Sequence, residues 1–434
     1  FKGEPLYMKF SFITLGCKVN QFESQAMSAL LEERGHSLAE KGEPADAYII
    51  NTCAVTAESS RKSRQAVRRA MAENPNAITA VCGCWAQISP DEAASLGAEL
   101  VFGSTGRLEL VRAIERAFED RSTLRSIDNP MGRREFEILP AGSGIGRTRA
   151  MLKVQDGCQN FCAYCIIPYA RGPVRSMSPD HAVSEARRLE REGYRELVIT
   201  GIEISSYGRD IGGVGLTELT EKICLSAPGM RVRLGSLEPR TVTEDFCKRL
   251  SALTNLCPHF HLSLQSGSGA TLRRMGRKYT PDEFYEGVSM LRRHFPNCGI
   301  TTDLIVGFPG ETEEEFAETL HFIEKCAFSS MHIFPYSKRP GTRAATMEGH
   351  LDKAVKRARA KQASRLARRM KDDFLNSQIG RLASVLFETE SQGFITGFTG
   401  NYCEVGVRSG AARNETATVK ITGKEGDILT GEVV

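Results

Sequence analysis

The chain has 434 residues, 57 of them Lys or Arg and 53 Asp or Glu, for a formal net charge of +4. That length exceeds one ordinary core, so two or three domains are expected, and so small a net charge means that a polyanionic partner must be read from local patches. No apolar run approaches the ~20 residues of a membrane span and no signal-like segment opens the chain, so a cytoplasmic protein with no membrane contact is expected. In that compartment its 13 cysteines read as metal or redox ligands rather than disulfides.

Residues 1–7, before Met8, read as a remnant outside the domains. From residue 8 to about 120, strand and helix patterns alternate. Lys9–Leu15 ends in Gly16-Cys17 and a helix pattern follows through Arg34. Ala47–Ile50 ends in Asn51-Thr52-Cys53, with a helix from about Ala57, and Ala77–Val81 ends in Cys82-Gly83-Cys84. Such a series predicts a doubly wound parallel sheet with its ligand crevice outside the carboxyl ends of the strands. Cys17, Cys53 and Cys84 all fall at such ends, the placement a three-thiolate metal site needs, although isolated buried thiols are the alternative. Cys82, two residues before Cys84, is expected on the same strand face but deeper, as packing.

Residues 121–145 read as a linker, with Gly, Pro and Arg clusters and little periodicity. The next domain, residues 146–375, alternates strand-like runs (Ala150–Gln155, Leu197–Thr200, Arg231–Leu234, His259–Leu264, Thr302–Val306, Ser330–Phe334) with helices such as Pro179–Glu192 and Pro281–His294. This order predicts a parallel barrel or partial barrel with its chemistry on the loops after the strands. The loop after the first strand holds Cys158, Cys162 and Cys165, three thiolates that reach three corners of one iron-sulfur cubane and leave the fourth iron open. A zinc knuckle would want a fourth Cys or His close by, and none lies within a few residues.

The Cys158 loop resembles that of the radical S-adenosylmethionine (SAM) enzymes. The resemblance implies that the open iron holds SAM and that Tyr164 lies against its adenine. It also implies that Thr200 and Gly201 meet its methionine part, with Ser236, Glu238, Gln265, Val306 and Gly307 near ribose and adenine. Each is as readily a cap or turn residue, and Glu203 departs from the His often found at its position. Leu15-Gly-Cys17-Lys-Val-Asn20, Asn51-Thr-Cys53-Ala-Val-Thr56 and Gly83-Cys84-Trp-Ala-Gln87 resemble the amino-terminal motifs of the methylthiotransferases, which implies that Cys17, Cys53 and Cys84 hold an auxiliary 4Fe-4S cluster supplying sulfur. Arg171-Gly-Pro-Val-Arg175-Ser176 resembles another family motif; its Arg171 and Arg175 are candidates to clamp substrate phosphate or carboxylate, against a surface ion pair.

The segment from Asp352 to Lys371 is a basic helix, carrying Lys353, Lys356, Arg357, Arg359, Lys361, Arg365, Arg368, Arg369 and Lys371. Together with Arg61, Arg64, Arg68 and Arg69 it suggests a polyanion track, against a solvated face. Residues 376–434 hold short β-rich runs between Gly and Asn turns, as in a small β-barrel. Phe394, Phe398 and Tyr402 are candidates to stack on bases or to fill its core, and Cys403 is expected to be buried. This tail resembles a TRAM domain.

The expected architecture is therefore α/β: a doubly wound amino-terminal domain, a central radical-SAM partial (β/α) barrel and a TRAM-like β-barrel. The Leu197–Ile202, Leu262–Ser268 and Phe334–Thr342 runs most resemble the family branch acting on threonylcarbamoyladenosine 37 of tRNA. That implies two 4Fe-4S clusters, one SAM as methyl donor and one as radical source, an external electron donor and a sulfur source. Branches acting on isopentenyladenosine or on a ribosomal protein aspartate, and a cluster-bearing RNA-binding redox sensor, are the alternatives.

Overall fold

The computed structural model describes residues 7–40, 42–142, 148–391 and 393–434, so residues 1–6 of the leading remnant and residues 143–147, at the linker's carboxyl end, lie outside it. In the first domain β1 (Lys9–Thr14), β2 (Ser37–Leu38), β3 (Ala47–Thr52), β4 (Ile78–Gly83), β5 (Leu100–Phe102) and β6 (Leu124–Ser126) form one sheet, in the order β2-β1-β3-β4-β5-β6. Every pairing is parallel. Helices α1 (Lys18–Glu32), α2 (Ala57–Glu73), α3 (Cys84–Ile88), α4 (Pro90–Ser95) and α5 (Arg107–Asp120) connect them.

β3 and β4 are buried on both faces, as a covered parallel sheet requires. Ile49 and Ala80 pack with Leu110 and Ile114 on one side, whereas Ile50 and Val81 pack with Val67 and Trp85 on the other. The stretch read as a linker supplies β6, whose three residues are too few to show a period, and then sends Leu139 and Ala141 into the core of the central domain.

That central domain contains β7 (Arg149–Asp156), β8 (Arg175–Ser176), β9 (Glu196–Gly201), β10 (Arg231–Leu234), β11 (Ser236–Leu237), β12 (His259–Gln265), β13 (Gly299–Val306) and β14 (Ser330–Pro335). They make two four-stranded sheets, β10-β9-β7-β8 and β11-β12-β13-β14. All pairs are parallel except β7 with the short β8, and the bridge Val232–Leu256 lies at the join. Helices α6 (Ile167–Arg171), α7 (Pro179–Arg191), α8 (Leu216–Ser226), α9 (Glu244–Ser251), α10 (Gly269–Met275), α11 (Pro281–His294), α12 (Glu313–Cys326) and α13 (Lys353–Asn376) complete the partial barrel. Capping boxes Thr280–Glu283 and Thr312–Glu315 start α11 and α12, satisfying helix-end donors. Leu152, Val154, Leu197 and Ile199 join Ala186 and Leu189 of α7 in the core, so strand alternation turns Lys153, Gln155 and Thr200 to the concave side.

The tail is a closed barrel, ordered β15-β16-β17-β19-β18, of β15 (Leu382–Ser391), β16 (Phe394–Thr399), β17 (Glu404–Val407), β18 (Thr416–Glu425) and β19 (Ile428–Val433). Cys403 is buried in its core, as expected. The barrel docks at the amino ends of the central strands, opposite the cysteine loop. Arg233 donates to the carbonyls of Gly400 at 2.9 Å and Thr399 at 3.3 Å, and a Cβ on Gly299 would lie 2.2 Å from the Asn401 carbonyl oxygen. Tyr402 stacks on His259, with centroids 4.7 Å apart, and on Phe398, at 5.0 Å, while Arg149 lies 4.6 Å over the Phe398 ring. Phe398 and Tyr402 are thus engaged in docking rather than free to stack on bases, and Phe394 lies under Arg408 at 4.2 Å. Among the described residues no helix is long and apolar enough to cross a membrane.

One carboxylate organises this interface. Fully buried Glu196 accepts from Arg233 Nε at 2.8 Å and pairs with Arg231 and Arg149. Burial alone would raise its carboxyl, but the three arginines hold it at about 2. A depressed folded-state value contributes stability that is present above the ordinary carboxylate range and lost as pH falls toward that value. Urea unfolding of the intact chain is therefore expected to lose stability from about pH 4.5 downward. Glu196→Gln should lower stability at pH 7 by about 3–5 kcal/mol and flatten the acid limb; an unchanged acid limb would exclude Glu196 as its source.

Candidate active site

The cysteine loop leaves β7 through Gly157 (φ +76), where a Cβ would come within 1.9 Å of the Pro173 carbonyl oxygen, so glycine is required for the turn. The Cys158 amide donates to the Gly172 carbonyl, the Cys165 amide to Cys162 and the Ala163 amide to Met275. Phe161 takes a positive φ of 47°. Burial raises the Cys158 and Cys165 thiols to about 12, with neighbouring Cys162 acting in the same direction. Arg277 opposes this, its Nη1 lying 3.3 Å from Cys162 Sγ and its Nη2 donating to Glu238 at 2.8 Å. Thiols held neutral in this way release protons when they ligate a metal.

The second triad assembles from three loops that backbone geometry holds together. Gly16 (φ +105) has no room for a side chain, since a Cβ would lie 2.9 Å from Cys53 Cβ. Gly83 (φ +97) likewise lets the third loop meet Thr52, with a Cβ only 2.5 Å from its carbonyl oxygen. Asn20 donates from one amide nitrogen to the carbonyls of Leu15, at 2.8 Å, and Thr52, at 2.9 Å, tying the Cys17 and Cys53 loops. Cys17, Cys53 and Cys84 lie within electrostatic reach of one another. Cys17 is open to solvent, yet surrounded by enough protein that burial raises its thiol to about 11.

Cys82, by contrast, packs with the α1 and α5 layer while Cys84 packs with α2 and Trp85. The two do not share a face as expected, because the strand ends at Gly83 between them.

Arg171 and Arg175 differ from expectation more sharply. Both are buried, and neither presents its charge to a substrate. Arg171 donates to Glu23 and, at 3.0 Å, to Asn20 Oδ1; its Nε lies 3.3 Å from Cys84 Sγ, and it pairs with Asp156 at 3.3 Å. Arg175 donates to the carbonyls of Arg171 and Pro173. Glu23 also receives Arg107 at 2.9 Å and Lys153 at 3.3 Å, so these arginines act as struts between the two thiol sites. Glu23, Lys153 and Asp156 join the two thiol sites and Arg277 meets Cys162; of these, only Glu23 carries a local signal in the sequence, a carboxylate one helical turn past Asn20 on the same face.

The residues expected to hold SAM surround the Cys158 loop at the carboxyl ends of the strands. Tyr164 packs edge-on against Phe308, at 6.5 Å. Thr200 is buried, and a Cβ on Gly201 would meet the Gln155 carbonyl at 2.8 Å. Ser236 is exposed at the start of β11. Gln265 takes a φ of 69° where the pairing of β12 shifts register. Val306 is buried, and Gly307 (φ +71) donates its amide to Glu311 at 2.6 Å. Glu203 Oε1 is buried without a partner and lies within reach of Cys158 and Glu238. An orphaned acceptor there suits a ligand that brings an amino or hydroxyl donor. Among the described residues no three His, Cys, Asp or Glu converge on a single-ion site, and both triads fit a cluster several atoms across better than one zinc ion.

Residues 152–323 match the Radical SAM superfamily and residues 9–103 match Uncharacterized protein family UPF0004. The chain is 39% identical over 402 residues to the threonylcarbamoyladenosine tRNA methylthiotransferase MtaB of Bacillus subtilis (strain 168), covering 91% of this chain and 89% of that one. The MtaB of Thermotoga maritima is 39% identical over 432 residues, with 97% and 98% covered. The chain belongs to the radical SAM methylthiotransferase family. A relative named for another nucleoside, the tRNA-2-methylthio-N(6)-dimethylallyladenosine synthase of Pelotomaculum thermopropionicum, is 33% identical over 439 residues, with 98% and 97% covered. Among solved structures, the radical SAM methyltransferase TsrM of Kitasatospora setae shares the fold, with a TM-score of 0.58 at 15% identity over 79% of this chain and 75% of that one.

As a member of this family the enzyme uses SAM and 4Fe-4S clusters. Because the two triads sit in separate domains, anaerobic reconstitution of Cys158→Ala/Cys162→Ala/Cys165→Ala protein should leave about half the iron and sulfide of the wild type, one cluster of two. Loss of all of it, or of none, would contradict the assignment of one cluster to each triad.

Proposed function

We propose that this enzyme replaces the hydrogen at carbon 2 of threonylcarbamoyladenosine 37 in tRNA with a methylthio group, one SAM supplying the methyl and a second the radical. The observation that supports this most is the pairing of two three-thiolate sites through Arg171, Glu23 and Asp156, in a chain 39% identical to relatives named for that nucleoside. When bound, the clusters supply the electron that cleaves SAM and the site that holds the sulfur. Cys158, Cys162 and Cys165 would hold the first and Cys17, Cys53 and Cys84 the second.

The chain's own contribution is positioning and charge. Arg277 and Arg171 each aim a guanidinium at a cysteine sulfur, that of Cys162 and of Cys84 respectively. Glu203, Thr200, Gly201, Ser236, Glu238, Gln265, Val306 and Gly307 would orient SAM beside Tyr164. An external electron donor and a sulfur source complete the reaction, in the cytoplasm.

The two triads make separable predictions. Under reducing conditions, Cys53→Ala protein should still convert SAM to 5'-deoxyadenosine yet form no methylthio product on threonylcarbamoyladenosine tRNA, read by nucleoside mass spectrometry. Normal product from that variant would make the second site structural only. Preference for isopentenyladenosine tRNA in the same wild-type assay would move the enzyme to the sibling activity.

The basic helix α13 is only partly available to RNA. Arg359 is buried against Glu311 and Glu313, Lys356 donates to the Tyr336 carbonyl, and Arg369 and Lys371 pair with Glu324 and Asp427. Arg357, Lys361, Arg365 and Arg368 stay exposed and would track the backbone. Replacing these four with Gln should weaken tRNA binding and lower the slope of log affinity against log salt by about one per lost phosphate contact. An unchanged slope would return the helix to a solvated face.

A further inference from the structure

The concave side of the central barrel carries charge that neither the clusters nor SAM account for. Lys18 follows Cys17 directly and opens α1. It is exposed, makes no ion pair among the described residues, and reaches electrostatically into the barrel toward Arg233, Arg149 and Glu196 and toward His259. The carboxylate in reach, Glu196, is already shared among three arginines. Among the described residues Lys18 is therefore an uncommitted cation of the barrel's concave side.

A second observation points to a ligand at the same place. His259 is only 6% exposed. Its Nε2 meets Thr301 Oγ1 at 3.2 Å, but its Nδ1 is buried with no partner. A buried unsatisfied ring nitrogen is uncommon without a group to meet it. On the same strand face, His261 holds Thr301 Oγ1 at 3.0 Å and Asp303 at 3.3 Å, and exposed His332 lies 6.2 Å from it, ring to ring. One open cation thus stands beside a row of hydrogen-bonding groups that ends in the Asp303 carboxylate.

That pattern matches a substituent with one carboxylate and several neutral polar atoms. We infer that this concave side of the barrel receives the threonylcarbamoyl group of the substrate, with Lys18 Nζ pairing its carboxylate and the unpartnered His259 Nδ1 meeting one of its neutral polar atoms. This assignment rests on the function proposed above and names what selects the nucleoside. Lys18 is a specificity-determining residue, tied through Cys17 to the sulfur-handling site, so a nucleoside without the carboxylate forfeits the contact that seats its base between the two thiol triads. Polar sites reject analogues lacking the expected group because their own charge is then left unpaired.

The test uses the reconstituted full-length enzyme with SAM and anticodon stem-loops carrying either threonylcarbamoyladenosine or its uncharged carboxamide. Binding is read by fluorescence anisotropy without reductant and methylthiolation by mass spectrometry with it. The wild type should bind the acid more tightly than the amide by on the order of 10- to 100-fold, as for a hydrogen bond to a charged group. Lys18→Gln, loaded with the same iron and sulfide, should lose that preference by weakening on the acid alone, and Lys18→Arg should keep most of it.

A Lys18→Gln enzyme that still prefers the acid, or that weakens equally on both RNAs, would overturn the inference. So would a wild type that methylthiolates both RNAs without preference, a comparison that needs no variant and leaves the proposed function standing. A wild type that modifies neither RNA, yet modifies an isopentenyladenosine stem-loop, would overturn the proposed function and this inference with it.

Discussion

Glu23 is the interaction on which the site depends. It is fully buried, and Arg107 from its own domain and Lys153 and Arg171 from the central domain converge on it. Burial disfavours its charge, and the three cations overcome that, holding the carboxyl well below the usual range. Isolated ions of this kind are costly to bury, so the network persists only while both domains supply their share. Rigid registration of the two thiol sites follows, because Arg171 also touches Asn20 and Cys84 and Asp156 opens the Cys158 loop through the Gly157 amide.

The central barrel is used at both ends. Its carboxyl ends carry the cysteine loop and the residues suited to SAM, where a parallel barrel places chemistry. Its amino ends hold the tail barrel through Glu196, Arg233 and the Tyr402 stack. The same Arg233 and Arg149 that anchor the tail also bring positive charge beneath Lys18. Tail docking and the barrel's concave side are electrically connected through these arginines.

Some of this was legible in the sequence because it depends on short spacing. Cys158, Cys162 and Cys165 lie on one loop, and a strand-loop-helix rhythm places Cys17, Cys53 and Cys84 at strand ends whatever the rest of the chain does. Other features stayed open in the sequence because local context could not decide them. Arg171 and Arg175 look like ligand-binding arginines by residue type, yet their partners stand on α1 and β7. Phe398 and Tyr402 look like a stacking platform, yet the platform already holds His259 and Arg149. β6 was hidden because three residues carry no measurable alternation.

The sequence by itself therefore determined the chemistry available: two triads of thiolates, strand-end placement, a basic helix and a β-rich tail. These follow from residue type and local period, which act over a few positions. Only the tertiary structure decided which charges are consumed and which stay open. Arg171 and Glu23 are 148 residues apart in the chain, and Arg233 and Gly400 are 167 apart. No local pattern encodes such pairs, because burial supplies both their cost and their strength. Lys18 shows the consequence: its sequence context marks it only as the residue after Cys17, and among the described residues it stays without an ion pair because the fold engages Arg149, Arg233 and Glu196 with one another.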